Sequence, residues 1–101
     1  MVTTLAGSGS SGSANGTGTA ATFNWPFGIA VDGSGNVYVG DYSNHLIRKI
    51  TSAGVVTTLA ATGGGSYPNG VAVDGSGNVY VADAENNLIR KITSAGVVNA
   101  N

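Results

Sequence analysis

The chain has 101 residues, enough for one small domain, and only 9 % of them are charged, against ~25 % in an ordinary soluble domain. Net charge is −1 and the four cations form two Arg-Lys pairs, so no basic cluster exists to hold a phosphate backbone and no nucleic-acid partner is expected. The absence of cysteine excludes disulfides and thiolate metal sites, while 42 % hydrophobic residues and 17 glycines describe a globular chain with many tight turns.

The chain opens on Val2-Thr3-Thr4-Leu5-Ala6, a β-rich stretch that recurs as Val56-Thr57-Thr58-Leu59-Ala60. The start has neither a basic n-region nor a long apolar stretch, so a soluble chain without a signal peptide is expected. Nothing approaches the ~18 consecutive apolar residues of a membrane span, and no membrane partner is expected. Gly7 to Gly28 then has the composition of a flexible linker, but it ends in Phe23, Trp25, Pro26 and Phe27, which are costly to leave in water. The Gly/Ser half is expected to be an ordered or semi-ordered loop, and the aromatic half to pack on a rim.

Four short strands follow: a (Gly28 to Val31), b (Asn36 to Val39, ending at Gly40-Asp41), c (Leu46 to Thr51) and d (Val55 to Ala60). Strand lengths, β-branched content and the Asp-Gly and Ala-Gly turns fit hairpins, and no helical period survives the glycines. Strands a and b are apolar at nearly every position, as in a sheet covered on both faces. Polarity rises towards d, as in a sheet whose first strand is innermost and last strand outermost.

Residues 28 to 56 recur at 70 to 98, a shift of 42, and differ only at positions 29, 40, 42, 43 and 45 of the first copy. Such a repeat marks one unit of a stacked or radial array. The chain closes on Gly96-Val97-Val98-Asn99-Ala100-Asn101, whose Gly-Val-Val matches the first half of strand d, while it opens on the second half of one. The low charge fits a protomer that hides two flanks against neighbours. The expectation is that the N-terminal strand of one protomer completes the last blade of the next, covering an open edge. The organisation reads as an outer strand plus Gly/Ser-rich loop over 1–27, blade 1 over 28–60, an inter-blade loop over 61–69, and blade 2 over 70–101 with its outer strand completed in trans.

Asn44-His45-Leu46, between a Gly-Asn-Val-Tyr-Val strand and Ile47-Arg48-Lys49-Ile50, closely resembles the NHL repeat, as does the Pro-x-Gly-[Ile/Val]-Ala-Val-Asp opening at Pro26 to Asp32 and Pro68 to Asp74. The second copy has Asn86-Asn87-Leu88, so the histidine is not essential to the fold. The resemblance implies an all-β fold of two four-stranded antiparallel propeller blades, and a ring most often of six blades. The near-identity of the copies points to a recent duplication, a consensus design or a fragment. Two blades cannot close a ring, and their unlike flanks join head to tail. A homotrimer of six blades is expected, with a homotetramer of eight as the alternative.

The chemistry readable in the residues is sparse. Asp32 and Asp74 open Asp-Gly-Ser-Gly-Asn stretches with one carboxylate each, too few for a calcium loop, and read as turns closed on backbone N–H groups. Asp41 and Asp83 read as backbone caps at the b–c corner, or alternatively as a ring of carboxylates that could hold a cation at one end of the channel. His45, the only histidine, reads as a structural corner residue. Arg48-Lys49 and Arg90-Lys91 read as outer-strand solubility, paired with Asp or with Glu85. Some NHL propellers bind RNA through a basic face, which this acidic chain lacks. No nucleophile–base–orienter set is present. The reading is therefore a structural self-assembling scaffold that is no enzyme, without cofactor or metal. The alternative is a protein-, peptide- or ligand-binding module that uses the channel mouth or loops, with Trp25, Phe27, Tyr67, Asp41 and Asp83 as its candidate surface.

Overall fold

The computed structural model describes residues 2–62, 67–84 and 86–99. Residues 63–66 of the expected inter-blade loop, and Glu85 as a partner for the cations, lie outside the described residues. So do the last two residues of the chain.

The described chain is all β apart from two 3-10 turns. Strands β1 (Gly16–Thr17), β2 (Pro26–Val31), β3 (Val37–Asp41), β4 (Leu46–Ile50) and β5 (Val55–Ala61) make one antiparallel sheet of order β1-β5-β4-β3-β2. Strands β6 (Pro68–Val73), β7 (Val79–Asp83), β8 (Leu88–Ile92) and β9 (Val98–Asn99) make a second sheet of order β6-β7-β8-β9. Strands a to d of the repeat are β2 to β5 and β6 to β9. The first strand extends back to the proline, because Pro26 pairs with Asp41 and Pro68 with Asp83 beyond a bulge.

Within the single chain Val2–Leu5 carry no strand, and the outer neighbour of β5 is Gly16–Thr17, which pairs with Val55 and Val56. The first sheet therefore has five strands, its edge covered by the Gly-rich insertion. The insertion is ordered by its own backbone bonds, Gly7 N–H to Gly18 O (3.1 Å), Ser8 N–H to Ala21 O (3.0 Å) and Gly18 N–H to Gly54 O (2.8 Å). One expectation needs correction: in the single chain β2 is not covered on both faces, for Ile29 is 65 % and Val31 62 % exposed. The strand beside it, β3, is buried throughout.

The turns follow from local chemistry. Asp32 Oδ1 accepts the N–H groups of Ser34 and Asn36 (2.9 Å each), and its Oδ2 accepts Asn36 Nδ2 (3.0 Å) and the Tyr38 hydroxyl (2.9 Å). Asp74 repeats this set with Ser76, Asn78 and Tyr80. The chain bends there through Gly35, whose φ of +86° is open to glycine at little cost. The Asn36 side chain, foremost among these donors, holds Asp32 down to about 2 from an ordinary 3.8, and Asp74 is lowered by its bonds to Asn78. A carboxylate with a depressed native pKa stabilises the fold above its unfolded value and loses that contribution as pH falls. Melting temperature should therefore fall between about pH 4 and pH 2, and the Asp32→Asn, Asp74→Asn double variant should flatten that fall in a thermal scan across the window.

One core cluster joins the sheets. Tyr38, Ile47 and Ala60 of the first pack on Val79, Val81 and Ile92 of the second, with Leu59, Val71, Val73 and Val98 at the margin. Each such aliphatic side chain contributes roughly 1.5–3 kcal/mol by leaving water. The inner strands meet so closely that a Cβ on Gly28 would collide with the carbonyl oxygen of Asn69. Among the described residues no helix is long and apolar enough to cross a membrane.

Candidate functional site

Strand pairing fixes what each sheet shows on its two faces. Val37 pairs with Ile50 and Val39 with Arg48, and these side chains share one face, the front, with Ile29, Val31, Asp41 and Val56. Tyr38, Ile47 and Ala60 lie on the rear. The same alternation gives the second sheet a front of Val71, Val73, Val79, Val81, Ile92 and Val98 and a rear that includes Tyr80 and Ile89. Inside the chain, the rear of the first sheet meets the front of the second.

Two surfaces are left over. On the free rear, Tyr80 is 36 % and Ile89 72 % exposed, where their repeat equivalents Tyr38 and Ile47 are 4 % and 0 % exposed. On the free front, Val37, Val39, Ile50 and Val56 are covered at one side by Ala21, Phe23 and Ala6. Beside them a cavity of about 380 Å³ opens between Leu5, Ala6, Phe23, Phe27 and Ile29. Leu5 and Ala6 there take the places of Leu59 and Ala60 in the inner interface. What the cavity lacks is the counterpart of Tyr38 and Ile47.

A second feature lies at the rim formed by the starts of β2 and β6 and the β3–β4 corner. Tyr42 has ring centroids of Trp25 at 6.2 Å, Phe27 at 5.7 Å and Tyr67 at 5.1 Å, and His45 stacks edge-on against Tyr67 at 4.8 Å. Trp25, Phe27 and Tyr67 are thus gathered in one aromatic ledge, with Trp25 72 % exposed. Trp25 is also held at φ 60°, a conformation costly to a residue with a Cβ. His45 is a corner residue, as its sequence position suggests. Its φ is 57°, that of Asn87 is 55°, and asparagine tolerates this region well, which accounts for the exchange of one for the other. The His45 carbonyl accepts the N–H of Thr62 (2.9 Å) and its hydroxyl (3.0 Å).

Asp41 and Asp83 do not join that surface. Both are buried, which corrects the carboxylate-ring alternative: each faces an arginine instead of a channel. Asp41 Oδ2 accepts Arg48 Nη1 (2.8 Å) and Asn44 Nδ2 (2.7 Å), and Oδ1 accepts the Asn24 N–H (2.8 Å). Arg48 is fully buried and not an outer-strand solubility residue. It donates to Thr22 O (2.8 Å), Ala14 O (2.9 Å) and Asn15 Oδ1 (2.9 Å), and it lies 4.8 Å over the Phe23 ring. The Gly-rich insertion therefore wraps a guanidinium. Arg90 donates its Nε to Asp83 Oδ2 at 2.8 Å and remains partly exposed. Asp41 and Arg48 stand seven apart across a short corner and share one face of the hairpin, a register that the sequence alone does not give. Among the described residues no group of three or more His, Asp or Glu side chains is gathered.

Solved structures with this arrangement are β-propellers. A Bacteroides thetaiotaomicron protein of unknown function is 26 % identical with a TM-score of 0.76, over 87 % of this chain and 26 % of its own. An auxiliary nutrient binding protein from the same organism is 26 % identical with a TM-score of 0.75, over 86 % of this chain and 27 % of its own. Virginiamycin B lyase from Staphylococcus aureus is 19 % identical with a TM-score of 0.69, over 82 % of this chain and 28 % of its own, and shows the fold alone. The chain thus spans about a quarter of the length of these structures. No curated protein matches it. The NHL repeat profile matches residues 23–50 and 66–92, one stretch on each sheet. More than half of the chain is covered in this way, its two sheets are propeller blades, and it belongs to the NHL repeat family.

Proposed function

We propose that the 101-residue chain is a structural self-assembling unit, in which the rear of the second blade of one copy docks on the front of the first blade of the next. The observation that carries this is the double life of one pair of side chains. Tyr38 and Ile47 are core residues where a blade follows them, and the equivalent Tyr80 and Ile89 are exposed where none does. The cavity beside Leu5, Ala6 and Ile29 supplies the matching socket, since it is the inner interface with those two side chains missing. A head-to-tail contact of this kind closes when its rotation divides a full turn. Three copies give six blades, the number the family resemblance favours.

Native mass spectrometry tests this directly. Copies of 9.9 kDa should appear at about 30 kDa as trimers, and a species near 40 kDa would mark the tetramer. A folded, monodisperse 9.9 kDa monomer at micromolar concentration would defeat the reading. The proposal assigns no catalysis to the chain: its one histidine is used in the corner, with its carbonyl and ring engaged by Thr62 and Tyr67.

A second reading, a binding module for a protein, peptide or other ligand, is favoured by one observation. The ledge of Trp25, Phe27 and Tyr42 leaves its indole exposed in a strained conformation, and strain often marks working positions. Likeness to an auxiliary nutrient binding protein supports it. The single tryptophan makes the test simple. Its emission should shift with saturation when oligosaccharides or peptides are titrated against the assembled chain, and no shift across such a panel would remove this reading.

A further inference from the structure

We infer that the Gly/Ser-rich insertion and Trp25 together form a binding site for a neutral saccharide, one per chain. The inference deepens the binding-module reading given above and rests on it.

A cavity of about 670 Å³ opens between the insertion and the start of β2, a size within the ~300–1,000 Å³ of small-molecule sites. Thr4, Ala6, Phe23 and Pro26 line both this cavity and the socket beside Ile29. Beyond them the socket runs to the sheet, whereas this cavity runs to residues 7–11, Thr19 and Trp25. The repeat does not supply such a wall twice. From Ala6 to Gly28 the chain is longer than from Ala60 to Gly70, and the extra residues belong to the insertion.

The lining selects the chemistry of the ligand. Among the described residues none that lines the cavity is ionisable, so a charged ligand would leave water without a counter-charge to meet it. The cavity offers hydroxyl groups on one wall and an aromatic face on another. Ser8, Ser10, Ser11 and Thr19 are exposed there, and each hydroxyl can donate one hydrogen bond and accept two. Ser8 Oγ accepts the Ser10 N–H (3.1 Å), which leaves its own proton to donate. Trp25 is 72 % exposed and touches Tyr42 in a T-shaped contact at 6.2 Å. An indole face attracts the weakly positive C–H groups on the flat side of a pyranose ring, while the hydroxyls of that ring match the serines. A peptide strand would ask for a free sheet edge, and the edge of β5 beside the insertion is already taken by β1.

The walls stand in place before any ligand arrives. The Gly12 N–H bonds the Phe23 carbonyl (3.1 Å), and the Gly12 carbonyl accepts Asn44 Nδ2 (2.7 Å). The Trp25 carbonyl accepts the Tyr42 N–H (3.2 Å), and the Asn24 carbonyl accepts the Ser43 N–H (3.0 Å). Loop and indole are thus fastened to the same β3–β4 corner, and little ordering remains to oppose binding.

Calorimetric titration of the full chain with cellohexaose, maltohexaose and mannohexaose, uncharged probes of different shape, tests the site. At least one should bind with saturation and shift the emission of Trp25, the single tryptophan. Trp25→Ala should weaken that binding roughly 10- to 30-fold, and Ser10→Ala combined with Ser11→Ala about 3- to 10-fold. Tyr67 belongs to the ledge but not to the cavity lining, and Tyr67→Ala should change the affinity less than about twofold. If Trp25→Ala loses the fold by circular dichroism, Thr19→Phe, at an exposed position of the wall, replaces it and should abolish binding by filling the space. Saccharide binding that Tyr67→Ala removes and the serine changes leave intact would put the ligand on the ledge and overturn the cavity site. A peptide that shifts Trp25 emission where no hexasaccharide does overturns the saccharide class and leaves the binding module standing. No response to either class overturns both.

Discussion

Arg48→Ala should destabilise the protein by about 3–5 kcal/mol, the cost of leaving a buried partner charge uncompensated. Arg48 and Asp41 are both fully buried at 2.8 Å, so removing the guanidinium leaves the Asp41 carboxylate in a site closed to solvent in this fold. The loss reaches past the ion pair, because Thr22, Ala14 and Asn15 are fastened through the same group. A small domain holds only about 5–15 kcal/mol in total, so the insertion should lose its order even where the sheets survive. Arg90→Ala removes the equivalent residue of a near-identical repeat, yet its side chain is partly exposed and water can reach the site it vacates. Its cost should be about 2 kcal/mol, that of a hydrogen bond to a charged group. Urea midpoints of the two variants, taken at one protein concentration because assembly shifts apparent stability, check the comparison. Equal midpoints would mean that the insertion adds nothing to the clamp. Replacing Asp41 and Arg48 together by Leu and Met should recover only part of the loss, since the Asn24 N–H and Asn44 amide would then lack the carboxylate they bond.

The contrast between those arginines separates what the local sequence encodes from what only the folded chain brings together. Strands, turns and the Asp32 and Asp74 closures were legible because their physics is local: the bonds span six residues or fewer. The blade order was legible because one near-copy repeats the other. Arg48 was misjudged because its partners Ala14, Asn15 and Thr22 lie in a segment whose composition reads as a linker, and nothing in that composition says that carbonyl groups will converge on a guanidinium 26 to 34 positions away. Asp41 was partly legible as a corner residue, but its arginine required the hairpin register. Trp25, Phe27 and Tyr67, named from the sequence only as candidates for one surface, meet in the structure through Tyr42. Tyr42 and His45 join them only because the second blade folds back onto the corner of the first. The N-terminal repeat Val2–Ala6 was recognised as a strand sequence. It lacks strand structure because a strand is a property of a pair, and among the described residues no strand pairs with Val2–Leu5.

Ile89→Lys should abolish assembly while leaving the chain folded, and Ile47→Lys should unfold it. The two isoleucines sit at equivalent places of the same five-residue strand, Leu-Ile-Arg-Lys-Ile. Ile47 is sealed between the blades with Tyr38, Ala60 and Val79, so a lysine there strands a charge in the core and costs several kcal/mol. Ile89 is 72 % exposed in the single chain, where a lysine costs within about 0.5 kcal/mol. In the proposed head-to-tail ring it would enter the cavity lined by Leu5 and Ile29, and there the same lysine would meet the desolvation that Ile47→Lys meets within one chain. Light scattering should therefore report a 9.9 kDa species for Ile89→Lys with an unchanged far-ultraviolet circular dichroism spectrum, and an unfolded spectrum for Ile47→Lys. An assembled Ile89→Lys chain would show that this face of the second blade is not where the copies join. The residual stability of the Ile89→Lys monomer then measures what the inner interface is worth without its neighbours. Two blades share one such interface, whereas each blade of a closed ring has two, so the monomer should melt well below the ring.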